Sequence, residues 1–220
     1  MNNKGILSDK CILEYLGCNE IIIYPFNLKY LNTSSYDVTL GENYYKNNNI
    51  DCIYNIYSEI DVNKIWGNPL MAITHQEYID MGNQQLVNIE LDEKIIMLDP
   101  GEMILTHTNE YIGGVNKVTS MMKCRSSFGR SFINVCSCAG WGDIGYFNRW
   151  TMEIKNNSKY FKIPLIVNRP IAQIVFIDTE GIIHKSYNIT GKYQNYQNLD
   201  NLIENWFPGN MLPRLHLEKK

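Results

Sequence analysis

The sequence has no long hydrophobic run and little excess charge of either sign. No segment approaches the ~18 consecutive apolar residues that a membrane-spanning helix needs. The 20 basic and 23 acidic side chains leave a formal net charge of −3. Because nucleic acid and anionic lipid bind to surplus basic residues, neither is an expected partner. Residues 1–10 lack the apolar core of a signal peptide, so we expect a soluble, cytoplasmic protein.

Alanine is scarce, whereas Ile, Val, Tyr, Thr and Asn are abundant. This composition disfavours helices and favours strands joined by turns. Hydrophobic residues make up 45% and charged residues 20% of the 220 positions, which is typical of globular proteins and excludes a disordered or fibrous chain. A chain of this length fits one β-rich domain spanning residues 1–220. The tail from about residue 187 to 220, rich in Asn, Gln and Tyr, is predicted to be an extended arm that orders on another surface.

Short hydrophobic stretches separated by Gly, Asn and Pro predict many strands. Residues 8–16 place apolar side chains on one side behind Ser8, a candidate helix cap, and indicate a short N-terminal helix. Pro100 and Gly101 fit the central positions of a type II turn, so residues 95–98 and 103–106 are predicted to form a hairpin. Further predicted strands are residues 20–26, 36–40, 117–124, 131–138, 146–154, 163–167 and 171–177. This pattern indicates an all-β sandwich or closed barrel and not βαβ units.

Polar side chains are concentrated between residues 124 and 153. Two guanidinium groups and two hydroxyls occur within six residues, at Arg125, Ser126, Ser127 and Arg130. Such groups bind polyphosphates, although a solvated turn with surface arginines would show the same residues. Asp143 follows in a Gly-rich turn that would let the backbone approach a ligand closely.

Glu153 lies at the centre of an apolar strand. Alternation predicts that its side chain shares a face with Thr151 and lies opposite Trp150, Met152 and Ile154. An ordinary solvated strand carboxylate is the alternative.

Several segments resemble, in order and spacing, the dCTP deaminases, a family that shares its trimeric, distorted jelly-roll fold with the dUTPases. The matching segments are Ile6-Leu-Ser-Asp-Lys10, residues 22–27, Ser34-Ser-Tyr-Asp-Val-Thr-Leu-Gly41, Arg125-Ser-Ser-Phe-Gly-Arg130, Ala139-Gly-Trp-Gly-Asp143, Thr151-Met-Glu153 and Pro170-Ile-Ala-Gln173. The resemblance continues to Lys192-Tyr193 and residues 212–217. It implies an all-β, distorted jelly-roll or β-barrel fold of the dUTPase-like type with a short N-terminal helix, assembled as a homotrimer. A Glu at the position of Glu153 distinguishes the deaminases, since dUTPases lack it.

The resemblance also implies a set of catalytic residues. Glu153 would move protons between an attacking water and the cytosine ring and its amino group, because water is a poor nucleophile and ammonia leaves only after it gains a proton. Ser126 and the backbone at Ala139 would hold the water, and Arg130 would lie near Glu153 and the phosphates. Asp143 would accept the deoxyribose 3′-hydroxyl or activate water for pyrophosphate release.

Nucleotide-binding residues follow from the same resemblance. Arg125 and Ser127 would bind phosphates, reached from a neighbouring subunit, and Gln173 would contact the nucleotide from its strand. The arm, about residues 187–220, would close over the triphosphate through Tyr187, Lys192 and Gln197. Departures from the family pattern stand at Cys124, Gly142 and Asn148.

Trp141 is informative about which nucleotide product the reaction gives. Family members that also release pyrophosphate tend to carry Gly plus an aromatic residue where this chain has Gly140 and Trp141, so the resemblance implies deamination of dCTP followed by formation of dUMP. A core-filling aromatic is the alternative for Trp141. A dUTP pyrophosphatase and a non-catalytic nucleotide-binding regulator remain alternative functions, and dUTP and dTTP are further candidate ligands.

Zinc is not expected as a cofactor. Zinc-dependent nucleobase deaminases use H-x-E with P-C-x-x-C, and His75-Gln-Glu77 supplies only the first half. Cys136 and Cys138 are predicted to share one strand face, but two thiols alone make a weak zinc site, and small core residues are the better interpretation. The expected metal is Mg²⁺ that arrives with the triphosphate.

Overall fold

The computed structural model describes residues 5–182, 187, 191–194 and 198–218. The described helices are α1 (Asp9–Gly17), α2 (Glu59–Trp66), α3 (His75–Asp80), α4 (Ser126–Arg130) and α5 (Leu199–Asn205), with 3-10 turns at Leu28–Tyr30, Pro208–Met211 and Leu215–Leu217. The strands are β1 (Ile21–Tyr24), β2 (Leu31–Asn32), β3 (Ser35–Lys46), β4 (Leu70–Met71), β5 (Ile73–Thr74), β6 (Lys94–Leu98), β7 (Met103–Gly114), β8 (Val118–Cys124), β9 (Ile133–Val135), β10 (Trp141–Gly142), β11 (Phe147–Asn156), β12 (Ile163–Ile166) and β13 (Pro170–Asp178). Within these ranges no helix is both long and apolar enough to cross a membrane.

Antiparallel strands form two sheets. The large one has the order β10-β8-β13-β3-β7-β11-β9, with β1 on β7 and with β2 and β4 on β3, and the small one has the order β12-β6-β5. The 12-residue strands β3 and β7 pair with register shifts between residues 40 and 44, where the large sheet curls. This curled architecture confirms the predicted all-β class, and α1 confirms the short N-terminal helix.

The main hydrophobic core fills the inside of the curl. It contains fully buried side chains from α1, β3, β7 and β13, among them Ile12, Tyr36, Ile112 and Phe176. α1 also packs through Tyr15, whose hydroxyl donates a 2.8 Å hydrogen bond to Asp178. Ser8 occupies the predicted cap position, but its side chain makes no capping hydrogen bond. The helix is therefore held by its buried apolar face more than by its cap.

The predicted hairpin at residues 95–106 is wrong, although its turn is right. Gly101 has φ +76°, as a type II turn requires, and the Glu102 amide donates to the Asp99 carbonyl at 3.1 Å. β6, however, pairs with β5 and β12, whereas β7 pairs with β1, β3 and β11. The turn carries the chain from the small sheet to the large one. Turn residues set only the local backbone conformation, whereas side-chain burial decides which strands pair.

The predicted strand at residues 131–138 is also too long. β9 ends at Val135, because Cys136 adopts a left-handed conformation at φ +46°. Cys136 is buried and Cys138 is exposed, so the two thiols do not share a strand face.

Helices α2 and α3 were not predicted, although their cap residues could have indicated them. The Ser58 hydroxyl accepts from the Asp61 amide at 3.2 Å, and Thr74 and Glu77 form a reciprocal capping box. His75 is the first residue of α3, and its ring nitrogens lie 3.0 Å from the Ile89 carbonyl and 2.9 Å from the Leu86 amide. His75 is thus a packing residue, as expected, and Glu77 is a capping residue.

Candidate active site

A cavity of about 370 Å³ lies against one face of β11. Arg149, Thr151 and Glu153 are half-buried and line it, whereas Met152 and Ile154 are fully buried in the core. The predicted alternation of this strand is therefore confirmed. Glu153 is a half-buried carboxylate at a cavity, not a solvated strand residue.

The segment that precedes β11, which includes β10, also lines the cavity through Ala139, Trp141 and Asp143. Trp141 is 58% exposed and so does not fill the core. A Cβ atom at Gly142 would lie 2.6 Å from Ser120 Oγ and from a ring carbon of Trp150. Glycine at this position lets β10 lie close to Ser120 on β8 and to Trp150 on β11, which explains one of the departures from the family pattern.

The described part of the C-terminal arm closes the cavity at one end. Tyr187 lines it, with its ring 5.3 Å from that of Tyr146. Gln194 is buried; its side-chain oxygen accepts from the Phe147 amide at 2.7 Å and its side-chain nitrogen donates to the Gly145 carbonyl at 2.9 Å. Asn148 donates to the Tyr193 carbonyl at 3.0 Å. These contacts fasten the arm to the turn and to the start of β11.

Other predicted arm residues are placed differently. Lys192 forms an ion pair with Glu218, and its carbonyl accepts from Arg214 at 2.7 Å, so its side chain is engaged within the arm and not in the cavity. Gln197 lies outside the described residues.

Glu153 is electrostatically suited to acid–base chemistry. Burial raises the pKa of its carboxyl, and a hydrogen bond from its own backbone partly offsets this effect. Burial also raises the pKa of the neighbouring Tyr146 phenol. A carboxyl group whose pKa lies above its usual range can both take up and release a proton near neutral pH.

Arg149 is a site residue that sequence reasoning missed. Its guanidinium lies 5.2 Å from the ring centre of Tyr111 and 4.6 Å from that of Trp206. Its Nε is buried without a hydrogen-bond partner in the described part of the chain. The alternation that identified Glu153 also places Arg149 on the cavity side, four residues earlier. Trp206, which follows α5, could not be identified because nothing near it in the sequence points to β11.

The predicted phosphate-binding residues form a second, separate group. Ser126, Ser127 and Arg130 are exposed on α4, a helix that the sequence reasoning treated as a turn. The Nε of Arg125 lies 3.4 Å from Asp37, and one of its terminal nitrogens donates to the Pro170 carbonyl at 3.3 Å.

Gln173 belongs to this second group, since it is half-buried on β13 and lies beside Asp37 in the ladder. None of these residues lines the cavity that contains Glu153. A single chain therefore brings together only part of the predicted site.

Cys124 stands next to this second group. Its thiol points inward and contacts the carbonyls of Arg125 and Ile133 at 3.4 and 3.5 Å. In the part of the chain that the structure describes, no group of three or more His, Cys, Asp or Glu side chains could hold a metal ion.

The fold is a curled antiparallel sheet, and its candidate site is a cavity faced by a half-buried carboxyl group with a raised pKa, so the chain is a β-rich protein with a candidate site for acid–base chemistry. A sequence model of the dCTP deaminase-like family matches residues 6–179. The chain belongs to this family.

Relatives agree with this assignment. The chain is 33% identical over 175 residues to a Methanococcus maripaludis (strain C6) protein named dCTP deaminase, dUMP-forming, covering 79% of this chain and 82% of that protein. It is 33% identical over 192 residues to a Clostridium botulinum (strain Alaska E43) protein of the same name, covering 86% and 91%.

A solved structure is also similar. The 2′-deoxycytidine 5′-triphosphate deaminase from Agrobacterium tumefaciens superposes with a TM-score of 0.53 at 17% identity, covering 84% of this chain and 52% of that one. This likeness confirms the predicted fold type.

Proposed function

We propose that the protein hydrolytically deaminates dCTP and then releases pyrophosphate, leaving dUMP. The observation that carries the proposal is Glu153, a half-buried carboxyl with a raised pKa that faces a cavity of about 370 Å³. Cavities of this size accommodate small-molecule ligands. Family membership and the names of the relatives support cytosine deamination over other acid–base reactions.

Glu153 accounts for both proton transfers of deamination. As a carboxylate it takes a proton from water, whose oxygen forms a bond to C4 of the ring. It delivers this proton to N3, then takes the second proton from the new C4 hydroxyl and delivers it to the amino group. The C4–N bond breaks as the C4 carbonyl forms, N3 keeps its proton, and ammonia leaves. Burial keeps the carboxyl pKa above its usual range, which favours both the uptake and the return of the proton. The backbone at Ala139, across the cavity, would hold the water.

The remaining predicted residues support a shared site in a homotrimer. Ser126 and Arg130 are exposed on α4, away from the cavity of their own chain. In a ring of subunits, α4 of one subunit would complete the cavity of the next, with Ser126 on the water and with Arg130, Arg125 and Ser127 on the phosphates. Gln173 would contact the nucleotide from the same side. Within its own chain the cavity offers the guanidinium of Arg149 as a further phosphate donor.

The arm would complete the nucleotide site. Tyr187 lines the cavity directly, and the Gln194 contacts hold the arm in place. Lys192 would reach the triphosphate by exchanging its ion pair with Glu218 for one with phosphate, and Gln197 is proposed to contact the nucleotide as well. We place the whole chain in one domain, with residues of about 187–220 as its arm, in the cytoplasm.

Asp143 is proposed to serve the second step. It lines the cavity and is exposed at the turn between β10 and β11, so its carboxylate can accept the 3′-hydroxyl or take a proton from a water that attacks phosphorus. Mg²⁺ fits this donor set, since it needs one carboxylate plus phosphate oxygens and water. When bound, the ion would neutralise charge on the phosphates, held by Asp143 and the substrate. We expect no zinc requirement, which elemental analysis of the active protein checks.

The test incubates the wild-type protein separately with dCTP and with dUTP and measures ammonia and pyrophosphate independently. The proposal predicts ammonia and pyrophosphate in equal amounts from dCTP, with little free dUTP. Pyrophosphate from dUTP without ammonia from dCTP would instead identify a dUTP pyrophosphatase. Nucleotide binding without either product would identify a non-catalytic regulator, and accumulation of dUTP would remove only the second step.

A further inference from the structure

Arg149 is a half-buried cation that has no counter-charge among the described residues. Its guanidinium forms no ion pair within that part of the chain, and its buried Nε has no hydrogen-bond partner there. Partial burial costs a charged group some of its hydration, so an unpaired guanidinium favours an anionic ligand. Because Arg149 lines the cavity that contains Glu153, a ligand in that cavity can supply the missing negative charge.

Two aromatic rings hold the guanidinium of Arg149. Tyr111 is its partner in the β7–β11 ladder, and the centre of the Tyr111 ring lies 5.2 Å from the guanidinium carbon. The corresponding distance to the ring of Trp206 is 4.6 Å. Both distances fall within the ~6 Å of a cation–π contact. The rings attract the charge through their π faces, and the N–H donors remain available for the oxygens of a phosphate.

Trp206 belongs to the C-terminal segment and is anchored on both sides. Before it, α5 buries Leu202 in a cluster with Tyr111. After it, Met211 is buried in a cluster with Leu105 of β7. Trp206 packs against both clusters, so its ring is fixed beside the guanidinium by contacts that do not involve a ligand.

We propose that Trp206 is a positioning residue, which holds the guanidinium of Arg149 in the orientation that binds the phosphates of the nucleotide. Arg149 and Glu153 are four residues apart on β11, about 13 Å along the strand. This separation is comparable to the length of a nucleoside triphosphate, so the base and the phosphates of one nucleotide can meet the two residues at once. The inference rests on the proposed function for the identity of the nucleotide. It goes beyond that function because Trp206 lies outside residues 6–179, which the family model matches.

The first test measures binding of dCTP and of deoxycytidine to Glu153→Gln, in which substrate is not consumed, with and without a change at Trp206. Trp206→Leu removes the π face, so the affinity for dCTP should fall by about tenfold. The affinity for deoxycytidine, which has no phosphate, should not change. Trp206→Phe keeps a π face and should retain most of the affinity for dCTP. Phe207→Leu, at an exposed neighbouring ring that does not line the cavity, is the matched control and should bind dCTP as its parent does.

A double-mutant cycle in the same Glu153→Gln parent shows whether Trp206 acts through Arg149. Arg149→Met keeps an unbranched side chain without charge, and should weaken dCTP binding by roughly 10- to 100-fold. Adding Trp206→Leu to Arg149→Met should then cause no further loss, because the group that Trp206 positions is absent. A second loss of about tenfold in the double variant would overturn the inference. An equal loss of deoxycytidine binding in Trp206→Leu would also overturn it, since Trp206 would then shape the cavity as a whole.

Inorganic triphosphate is a probe that does not depend on the proposed reaction. In a chain that keeps Glu153, its affinity should be highest in the wild type and Trp206→Phe, lower in Trp206→Leu and lowest in Arg149→Met. Thermal unfolding of each variant checks that the chain is folded. If the wild type releases no ammonia from dCTP, the proposed function fails, whereas this order of affinities still supports the role of Trp206. Equal affinities for triphosphate in the wild type and Trp206→Leu would overturn that role even if deamination is confirmed.

Discussion

His107 shows how closely single residues are fitted around the site. It is 1% exposed, its ring packs 4.5 Å from that of Trp206, and a Cβ atom at Gly41 would lie 2.1 Å from its Cε1. Its Nδ1 lies 2.9 Å from the Thr108 carbonyl oxygen. Burial lowers the pKa of His107 to about 4, with the positive charge of Arg149 acting in the same direction. The ring is therefore neutral in the folded protein at neutral pH.

His107 should make folding stability depend on pH. Its pKa is lower in the folded state than in the unfolded chain, so protonation favours unfolding and stability falls as pH drops from about 6.5 toward 4. Denaturant unfolding should show a loss of about 2 kcal/mol between pH 7.5 and pH 5 from this residue. His107→Leu should lose correspondingly less over that interval. Equal pH dependence in the two proteins would contradict this account. Glu110 and Glu153, whose raised pKa values act in the opposite direction, are common to both.

Replacement of Asp143 should affect the two proposed steps, deamination and pyrophosphate release, to different extents. Asp143→Asn keeps the size and hydrogen-bonding capacity of the side chain but cannot take a proton. Pyrophosphate release should fall by roughly 10²-fold and ammonia release by much less, so dUTP should accumulate. Parallel assays of both products check this. Equal losses of the two products would show that Asp143 serves only to position the nucleotide.

At the scale of residues, the sequence predicted those whose surroundings are set by nearby positions in the chain. The cavity-facing position of Glu153 followed from strand alternation, Asp143 was singled out by its Gly-rich turn, and Trp141 by the family resemblance. Cys136 was misplaced, because a left-handed residue after a short strand leaves no trace in the alternation of apolar residues. Arg149 was overlooked although its position obeys the same alternation, since its partners Tyr111 and Trp206 are distant in the sequence.

At the scale of elements, the position of the C-terminal arm depends on the buried side-chain amide of Gln194. Gln194 satisfies both the Phe147 amide and the Gly145 carbonyl, and Asn148 adds the bond to Tyr193. The Asn148 departure from the family pattern thus has a structural role, since it fastens the arm to the first residues of β11.

Gln194→Ala should loosen the arm without touching Glu153. It leaves two buried backbone groups unpaired, which costs about 1–3 kcal/mol each and favours release of the arm. The KM for dCTP should rise by roughly tenfold or more, with a smaller change in kcat. Gln85→Ala, at an exposed glutamine, is the matched control and should behave as the wild type. An unchanged KM in Gln194→Ala would show that the arm does not close over the nucleotide.

Strands were predicted where apolar residues recur along the sequence. Strand pairings between segments that are far apart in the sequence were missed. β8, β11, β12 and β13 were found within a residue or two, and β11 and β13 bury alternate side chains over most of their length. The pairing of β6 and β7 was mistaken since a correct turn does not decide which sheet a strand joins. α4 was treated as a turn because its five residues are too short to show a helical period.

At the scale of the whole molecule, the residues of the proposed site lie on two separate surfaces of the chain. Glu153, Asp143 and Trp141 line one cavity, while Ser126 and Arg130 lie on the exposed α4. In the proposed trimer a closed ring would bring them together, because a heterologous interface joins different surfaces of neighbouring subunits. The order of the motifs along the chain does not indicate this separation, because it would be the same whether one subunit or two supplied the site.

Mixed assemblies test the shared site. Glu153→Gln and Ser126→Ala should each be inactive alone, but refolding them together should restore activity in sites that take Glu153 from one chain and Ser126 from the next. Light scattering should give about three times 25.6 kDa for all three samples. Activity that does not exceed the sum of the separate variants would mean that one chain supplies the whole site.

The central claim is that Glu153 moves the protons in the deamination of dCTP. The most direct measurement is ammonia release from dCTP by Glu153→Gln, alongside nucleotide binding by the same variant. Glutamine keeps the size and polarity of the side chain but removes its basicity. Ammonia release should therefore fall by at least about 10²-fold while dCTP still binds. Ammonia release at the wild-type rate would contradict the account.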